Sequence, residues 1–326
     1  MATQNALPGA SAGTQIVDLP RAGARPRPPR PPRPGGPLRG VIAGYAVVAI
    51  ISVISLFPLY WMIVNSLRKD ADISSGIALW PESFNWSNYA TAWNALEFPF
   101  QVFVINSFML SLLVTVGVVI SCLLVAYGFA RFRFPGRDFL FAFVIGTTMI
   151  PYAVMMIPQY AEFINIFHWG QGGQLFGHAN ILQFLPIIVP AFFGSPVYIF
   201  LLRQFIRGIP YDLDEAAKID GAGPLLILRR VIFPTVRPAL AAVIVLQFIG
   251  TWNDLLAPLI YLQDPQNWTI EIALLGYFSR YTSSISGSNW AEFMAMALVT
   301  MTPILALYFV ASKQIIQGVT LSGVKG

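Results

Sequence analysis

The chain has 326 residues, 56% of them hydrophobic and only 11% charged. Soluble domains carry roughly 25% charged residues, so the deficit, together with a mean hydropathy of +0.64, excludes an ordinary soluble domain and indicates an integral membrane protein. The formal net charge of +5 would suit nucleic acid, but its placement along the chain gives it another explanation.

Residues 1–40 are rich in Pro, Arg, Gly and Ala, with Arg21, Arg25, Arg27, Arg30, Arg33 and Arg39 punctuating a proline tract. Such a segment has no apolar period and is expected to be a disordered basic tail with polyproline character. The uncharged run from Val41 to Leu67 follows. It far exceeds the h-region of a signal peptide and reads as a first transmembrane helix, 41–67. A span needs about 20 apolar residues. Five further candidates meet this within a membrane domain expected at 102–316: 102–130, 139–161, 181–202, 238–262 and 292–312. Several contain proline, which membrane helices tolerate when neighbours satisfy the freed backbone groups. With Pro186, Pro190 and Pro196, the 181–202 span is expected to be kinked or broken.

Basic residues mark the cytoplasmic side of a membrane protein. Arg131, Arg133 and Arg137 lie between the second and third spans, and Arg203, Arg207, Lys218, Arg229, Arg230 and Arg237 between the fourth and fifth. The alternate loops hold only Arg68, Lys69 and Arg280. Both termini and the 203–237 loop are therefore expected in the cytoplasm of a multi-pass cell-membrane protein, and the positive charge needs no nucleic acid. The outward loops 68–101 and 263–291 carry Trp80, Trp86, Tyr89 and Trp93, and Trp268, Tyr277, Tyr281 and Trp290. Interfacial aromatics of this kind anchor helices in the bilayer. Ser107, Ser111, Thr115 and Cys122 form a small-residue stripe along the second span and read as helix packing.

The polar stretch between the fourth and fifth spans is built for a turn. Asp212 is a good N-cap, and Glu215 stands three residues on, where a capping-box partner belongs. Asp212, Asp214 and Glu215 suit the positive end of a helix dipole. Leu213, Ala216, Ala217 and Asp220 share one face, which the two alanines keep flat. Gly221 permits a left-handed end, and Pro224 prevents simple continuation, so a second helix is expected from about Leu225. The shape is that of an ordinary helix connector, or of a knob fitting a groove on another protein.

The string itself is more specific. Glu215-Ala216-Ala217, three residues, Gly221, nine residues, then Val231-Ile232-Phe233-Pro234 resembles the cytoplasmic EAA loop of ABC importer permeases, with Phe233 replacing the usual leucine. Trp252-Asn253-Asp254 with Leu255 to Ile260, and the ending Gln317 to Gly326, resemble the carbohydrate-importer branch, maltose-permease-like and smaller-subunit in type. The resemblance covers roughly 41–326 and implies an all-α, type I ABC importer transmembrane fold of about six helices. In that family the EAA loop forms the coupling helix. Asp212, Glu215, Ala216, Ala217, Asp220 and Gly221 are thus expected to contact the ATPase. The implied partners are a second permease subunit in a heterodimer, two ATPase subunits carrying ATP and Mg, an extracytoplasmic sugar-binding protein, and membrane lipid. The implied function is sugar or oligosaccharide import by alternating access.

The chain has no G-x-x-x-x-G-K-[ST] phosphate cradle: the closest approach, Gly318 to Gly323, is followed by Val324. No catalytic set or metal-ligand cluster is recognisable; His168, His178 and the single Cys122 lie apart from one another. The chain is thus expected to be no enzyme, to bind no metal or cofactor, and to leave ATP to another chain. In the fifth span Gln247, Gly250, Thr251, Asp254 and Pro258 fall at i, i+3, i+4, i+7 and i+11. A polar stripe on an apolar helix lines a translocation path or packs against a neighbour, so Gln247, Thr251 and Asp254 are candidates for a path. Alternatives are an ion-coupled secondary transporter using Asp254, a membrane scaffold without transport, and an ABC importer permease for a non-sugar solute.

Overall fold

The computed structural model describes residues 38–76, 79–169, 181–281 and 289–322. The proline-arginine tail up to residue 37, Gln171, His178 and residues 323–326 of the C-terminal ending lie outside them. Among the described residues every regular element is helical. Five helical stretches are long and apolar enough to cross a membrane: Gly40–Ser66, Phe100–Arg131, Leu182–Arg207, Pro224–Trp252 and Trp290–Ser312. A bent pair, Arg137–Met149 with Tyr152–Asn165, makes a sixth if counted as one span.

The chain divides into two compact units, residues 1–56 and 57–326. Helix α1, Leu38–Ser66, runs through the division. In the first unit its Val41, Ile42, Ile50 and Ile54 are exposed, as a lipid-facing helix requires.

In the second unit, α2 (Asp70–Ser75) and α3 (Ser87–Trp93) follow. Asn88 Nδ2 pins α3 by donating to Ser66 O (2.9 Å) and Arg68 O (2.8 Å). Helix α4, Phe100–Arg131, is the centre of the bundle. Its Leu110, Val114, Val118, Cys122, Ala126 and Ala130 recur every fourth residue and are all buried. One row at that spacing forms a ridge that fits a neighbour's groove. The neighbours are α8 (Pro196–Arg207) and α11 (Phe233–Trp252). Gly117 permits the close approach of the Phe192 ring, because an added Cβ would lie 2.8 Å from it. The small-residue stripe of α4 is a packing feature here: Ser107, Ser111, Thr115 and Cys122 are buried, and Ser107 Oγ accepts from Ile270 N (2.8 Å).

The stretch expected as one span at 139–161 is two helices, α5 (Arg137–Gly146, extended by a 3-10 turn to Met149) and α6 (Tyr152–Asn165). They meet at 96°. Pro151 lies at the corner, where it forces Ile150 into extended backbone. The next stretch is interrupted too: α7, Leu185–Ala191, turns at Phe192–Gly194 before α8. Gly194 supplies φ +88° there.

After α9 (Asp212–Ile219) come α10 (Pro224–Ile227), a π-helical turn (Leu228–Ile232) and α11. One helical stretch therefore runs from Pro224 to Trp252. It starts before the expected 238 and stops before the expected 262. The stop has a local cause: Asp254 Oδ1 accepts from Leu256 N (3.0 Å) and Ala257 N (3.4 Å), which starts a separate helix, α12, Leu256–Tyr261. The outward loop 263–291 contains a helix of its own, α13, Ile270–Tyr281. Ile270, Ala273 and Tyr277 sit on one face of α13 and are fully buried against Phe103, Phe248 and Trp252 and against α14 (Trp290–Ser322). Tyr277 is thus a core side chain and not an interfacial anchor, whereas Trp80 and Trp86 are 67% exposed.

Candidate functional site

Helix α9 is short, and its ends are set by local chemistry. The helix starts one residue earlier than its acidic pattern suggests. Tyr211 takes the cap position, and its carbonyl accepts from Asp214 N (2.9 Å) and Glu215 N (3.0 Å). Asp212 is the first helical residue and makes no side-chain cap. At the other end Ala222 N donates to Ala217 O (2.9 Å) and Gly221 N to Lys218 O (2.9 Å). These are the paired bonds of a Schellman ending, with Gly221 at φ +82° in the left-handed position. Ala217 and Ala222 both pack on the bundle core.

The helix is fastened to the end of α4. Arg131 Nε lies 2.9 Å from Asp214 Oδ2, with both side chains at most 6% exposed. Arg131 Nη2 donates to Ile209 O (3.0 Å), and its guanidinium sits 4.4 Å from the Tyr211 ring centre. Tyr211 donates to Ala130 O (2.9 Å), and Tyr127 donates across the turn to Pro224 O (3.0 Å). The pair is imperfectly satisfied, because Arg131 Nη1 and Asp214 Oδ1 have no hydrogen-bond partner among the described residues. Loss of either member strands a buried charge.

This fastening decides which face of α9 looks outward. Asp212, Glu215, Ala216, Asp220 and Gly221 are exposed, as the sequence analysis grouped them, while Ala217 is half-buried at the flank. Ile219 at 87% exposure and Leu225 at 74% join that surface. Neither is among the residues expected at the ATPase contact. The clue was the spacing from Asp214: once that carboxylate is buried, Ile219 must face away. Exposed Leu213, Ile219 and Leu225 are thus interspersed with the exposed carboxylates of Asp212, Glu215 and Asp220.

The Pro224–Trp252 helical stretch runs about 35 Å from this turn to Gln247, at 1.5 Å per residue. There Gln247, Gly250, Thr251 and Asp254 line a cavity of ≈ 290 Å³ with Tyr152 and Gln159 of α6, Tyr261 of α12, and residues of α4 and α7. Gln247 Nε2 donates to Thr251 Oγ1 (2.9 Å). The three predicted path residues thus share one cavity, although Asp254 lies beyond the helix end and not on a continuous stripe. Trp252 faces elsewhere: it is 1% exposed and stacks on Phe248. Among the described residues no group of three metal-ligating side chains occurs.

Among the described residues, a bundle of membrane-length helices, with a partly open cavity that Gln247, Thr251 and Asp254 line and a capped surface helix fixed to its basic end, fits a membrane transport component. Residues 117–320 match the family described as "Binding-protein-dependent transport system inner membrane component", and the chain belongs to that family. It is a permease subunit, and ATP hydrolysis belongs to a separate chain. It is 29% identical to the arabinooligosaccharides transport system permease protein AraQ of Bacillus subtilis, over 83% of this chain and 90% of that one. It is 29% identical to the diacetylchitobiose uptake system permease protein NgcG of Streptomyces coelicolor, over 79% and 80%. It is 30% identical to the sn-glycerol-3-phosphate transport system permease protein UgpE of Yersinia enterocolitica, over 80% and 89%. The fold matches the crystal structure of a bacterial ABC transporter involved in the import of the acidic polysaccharide alginate, with a TM-score of 0.67 at 21% identity. That match covers 85% of this chain and 96% of the other. Family membership favours the permease reading over an ion-coupled carrier or a scaffold.

Proposed function

We propose that this permease carries a sugar or oligosaccharide across the cytoplasmic membrane by alternating access, driven by ATPase subunits that grip the 212–234 loop. One observation carries the reading. The exposed face of α9 and the cavity are joined by the helical stretch Pro224–Trp252, and α9 is locked to α4 by the buried Arg131–Asp214 pair. A displacement of α9 therefore moves both α4 and the cavity-lining helix. The exposed Ile219 and Leu225 suit an apolar groove, and the exposed Asp212, Glu215 and Asp220 suit basic residues around that groove. The partners are two ATPase subunits holding ATP and Mg, a second permease subunit and an extracytoplasmic sugar-binding protein. Both termini and residues 203–237 face the cytoplasm, in keeping with the arginines of that side.

The sugar class rests on relatives named for arabinooligosaccharide and diacetylchitobiose transport. The relative named for sn-glycerol-3-phosphate keeps a phosphorylated solute as the second reading. Uptake of labelled arabinooligosaccharide, chitobiose and glycerol phosphate by cells with and without this chain tests the assignment. Import of a saccharide that stops on ATP depletion but survives an uncoupler is the expected outcome. Import abolished by the uncoupler at normal ATP contradicts it.

A further inference from the structure

The charge inventory of the cavity restricts what it accepts. Asp254 is the one charged side chain among the described residues that line it. Both of the carboxylate's hydrogen bonds, from Leu256 N and Ala257 N, go to Oδ1. Those backbone donors hold it in place and leave Oδ2 without a hydrogen-bond partner among the described residues. Around it stand Gln159, Gln247 and Thr251, which exchange hydrogen bonds with hydroxyls, and Tyr152 and Tyr261, whose rings offer apolar faces. A saccharide needs both kinds of surface: hydroxyl edges want amides and carboxylates, and its C–H faces want aromatic rings. Among the described residues, no lysine, arginine or histidine lines the cavity to neutralise an anion.

We propose that Asp254 is a specificity residue, making this cavity a subsite for neutral or amine-bearing saccharides and rejecting uronates and sugar phosphates. The inference rests on the reading that the cavity lies on the translocation path. Rejection arises because a second negative charge in a partly desolvated site finds a fixed one already there, and selection by repulsion needs no extra affinity for the preferred ligand. A neutral sugar loses nothing by the same carboxylate, since its hydroxyls donate to Oδ2.

The test uses membranes bearing the whole transport system, with Gly250→Cys on a Cys122→Ser background. Gly250 lines the cavity and has open space where a side chain would start. The thiol is titrated with cationic and anionic methanethiosulfonates of equal size, each rate referred to a free thiol in solution. The cationic reagent is expected to be favoured about tenfold or more, from one unscreened charge at close range. Asp254→Asn should bring the ratio near one, and Asp254→Ser, which also retains an acceptor for the Leu256 and Ala257 amides, should do the same. A ratio that neither substitution changes overturns the proposal. In the second arm, arabinotriose should slow labelling of the parent protein, while trigalacturonate should slow it only after Asp254→Asn. Equal protection of the parent by both sugars overturns the proposal. If the charge ratio behaves as expected but no sugar protects, the path reading beneath it fails instead, and the assignment of Asp254 to saccharide selection falls with it.

Discussion

The Arg131–Asp214 pair is where a single side chain has the largest consequence. Truncating one partner of a buried pair costs about 3–5 kcal/mol, because the other charge stays buried. Asp214→Ala is therefore expected to loosen α9 and lower the melting temperature of the purified subunit complex. Arg131→Met combined with Asp214→Leu removes both charges and should recover most of the loss; a double variant as unstable as the single one contradicts the account. Gly221 gives a second test. Its φ of +82° costs a side-chain-bearing residue about 1–2 kcal/mol. Gly221→Ala should reduce coupling of ATP hydrolysis to uptake, and Gly221→Asn should do so less, because asparagine tolerates that conformation. Gly221 was legible in sequence because a helix ending is written within a few neighbouring residues. The partner of Asp214 was not: Arg131 stands far away in the chain, on another helix, and nothing local at either residue names the other. Hence Asp212 and Glu215 looked like the working carboxylates, while Asp214 makes the structural contact.

At the scale of elements, the exposed face of α9 predicts which variants separate assembly from folding. Ala216→Trp and Ile219→Lys alter that face without touching the Arg131–Asp214 fastening. Both are expected to insert in the membrane and to lose co-purifying ATPase and sugar uptake. Ala217→Trp is different, since Ala217 packs against the bundle core, and it should also lower thermal stability. Normal ATPase recovery with Ala216→Trp and Ile219→Lys contradicts the assignment. The elements themselves were unevenly readable. Long apolar runs announce membrane-length helices, and those at Phe100–Arg131 and Trp290–Ser312 fall close to expectation. Pro151 was visible too, but a proline in a membrane helix announces no particular angle, so the 96° corner was not. The break after Trp252 was hidden because the apolar run continues past it. Its signal is Asp254, which serves as a cap for Leu256 and Ala257 and not as part of a continuing stripe. Helix α13 was overlooked inside a loop, although Ile270, Ala273 and Tyr277 carry helical spacing.

For the whole molecule, the account requires one orientation, one energy source and one point of force. Cysteine at the exposed Ser83, on a Cys122→Ser background, is expected to react with an impermeant thiol reagent added outside, and cysteine at Lys218 only after the membrane is opened. The reverse pattern contradicts the orientation. Asp254→Asn should leave ATP-driven uptake of a neutral sugar within about a fewfold of normal, because the carboxylate selects solutes and carries no coupling proton. Its complete loss, with ATPase activity intact, contradicts that role. The central claim is that α9 is where ATPase movement enters this subunit, and a crosslink tests it most directly. Ala216→Cys on the Cys122→Ser background, in the assembled transport system, should form a covalent adduct with a cysteine in the ATPase groove. Uptake should stop when the adduct forms and recover on reduction. If residue 216 is found beside lipid or the partner permease alone, and uptake proceeds, the claim is wrong.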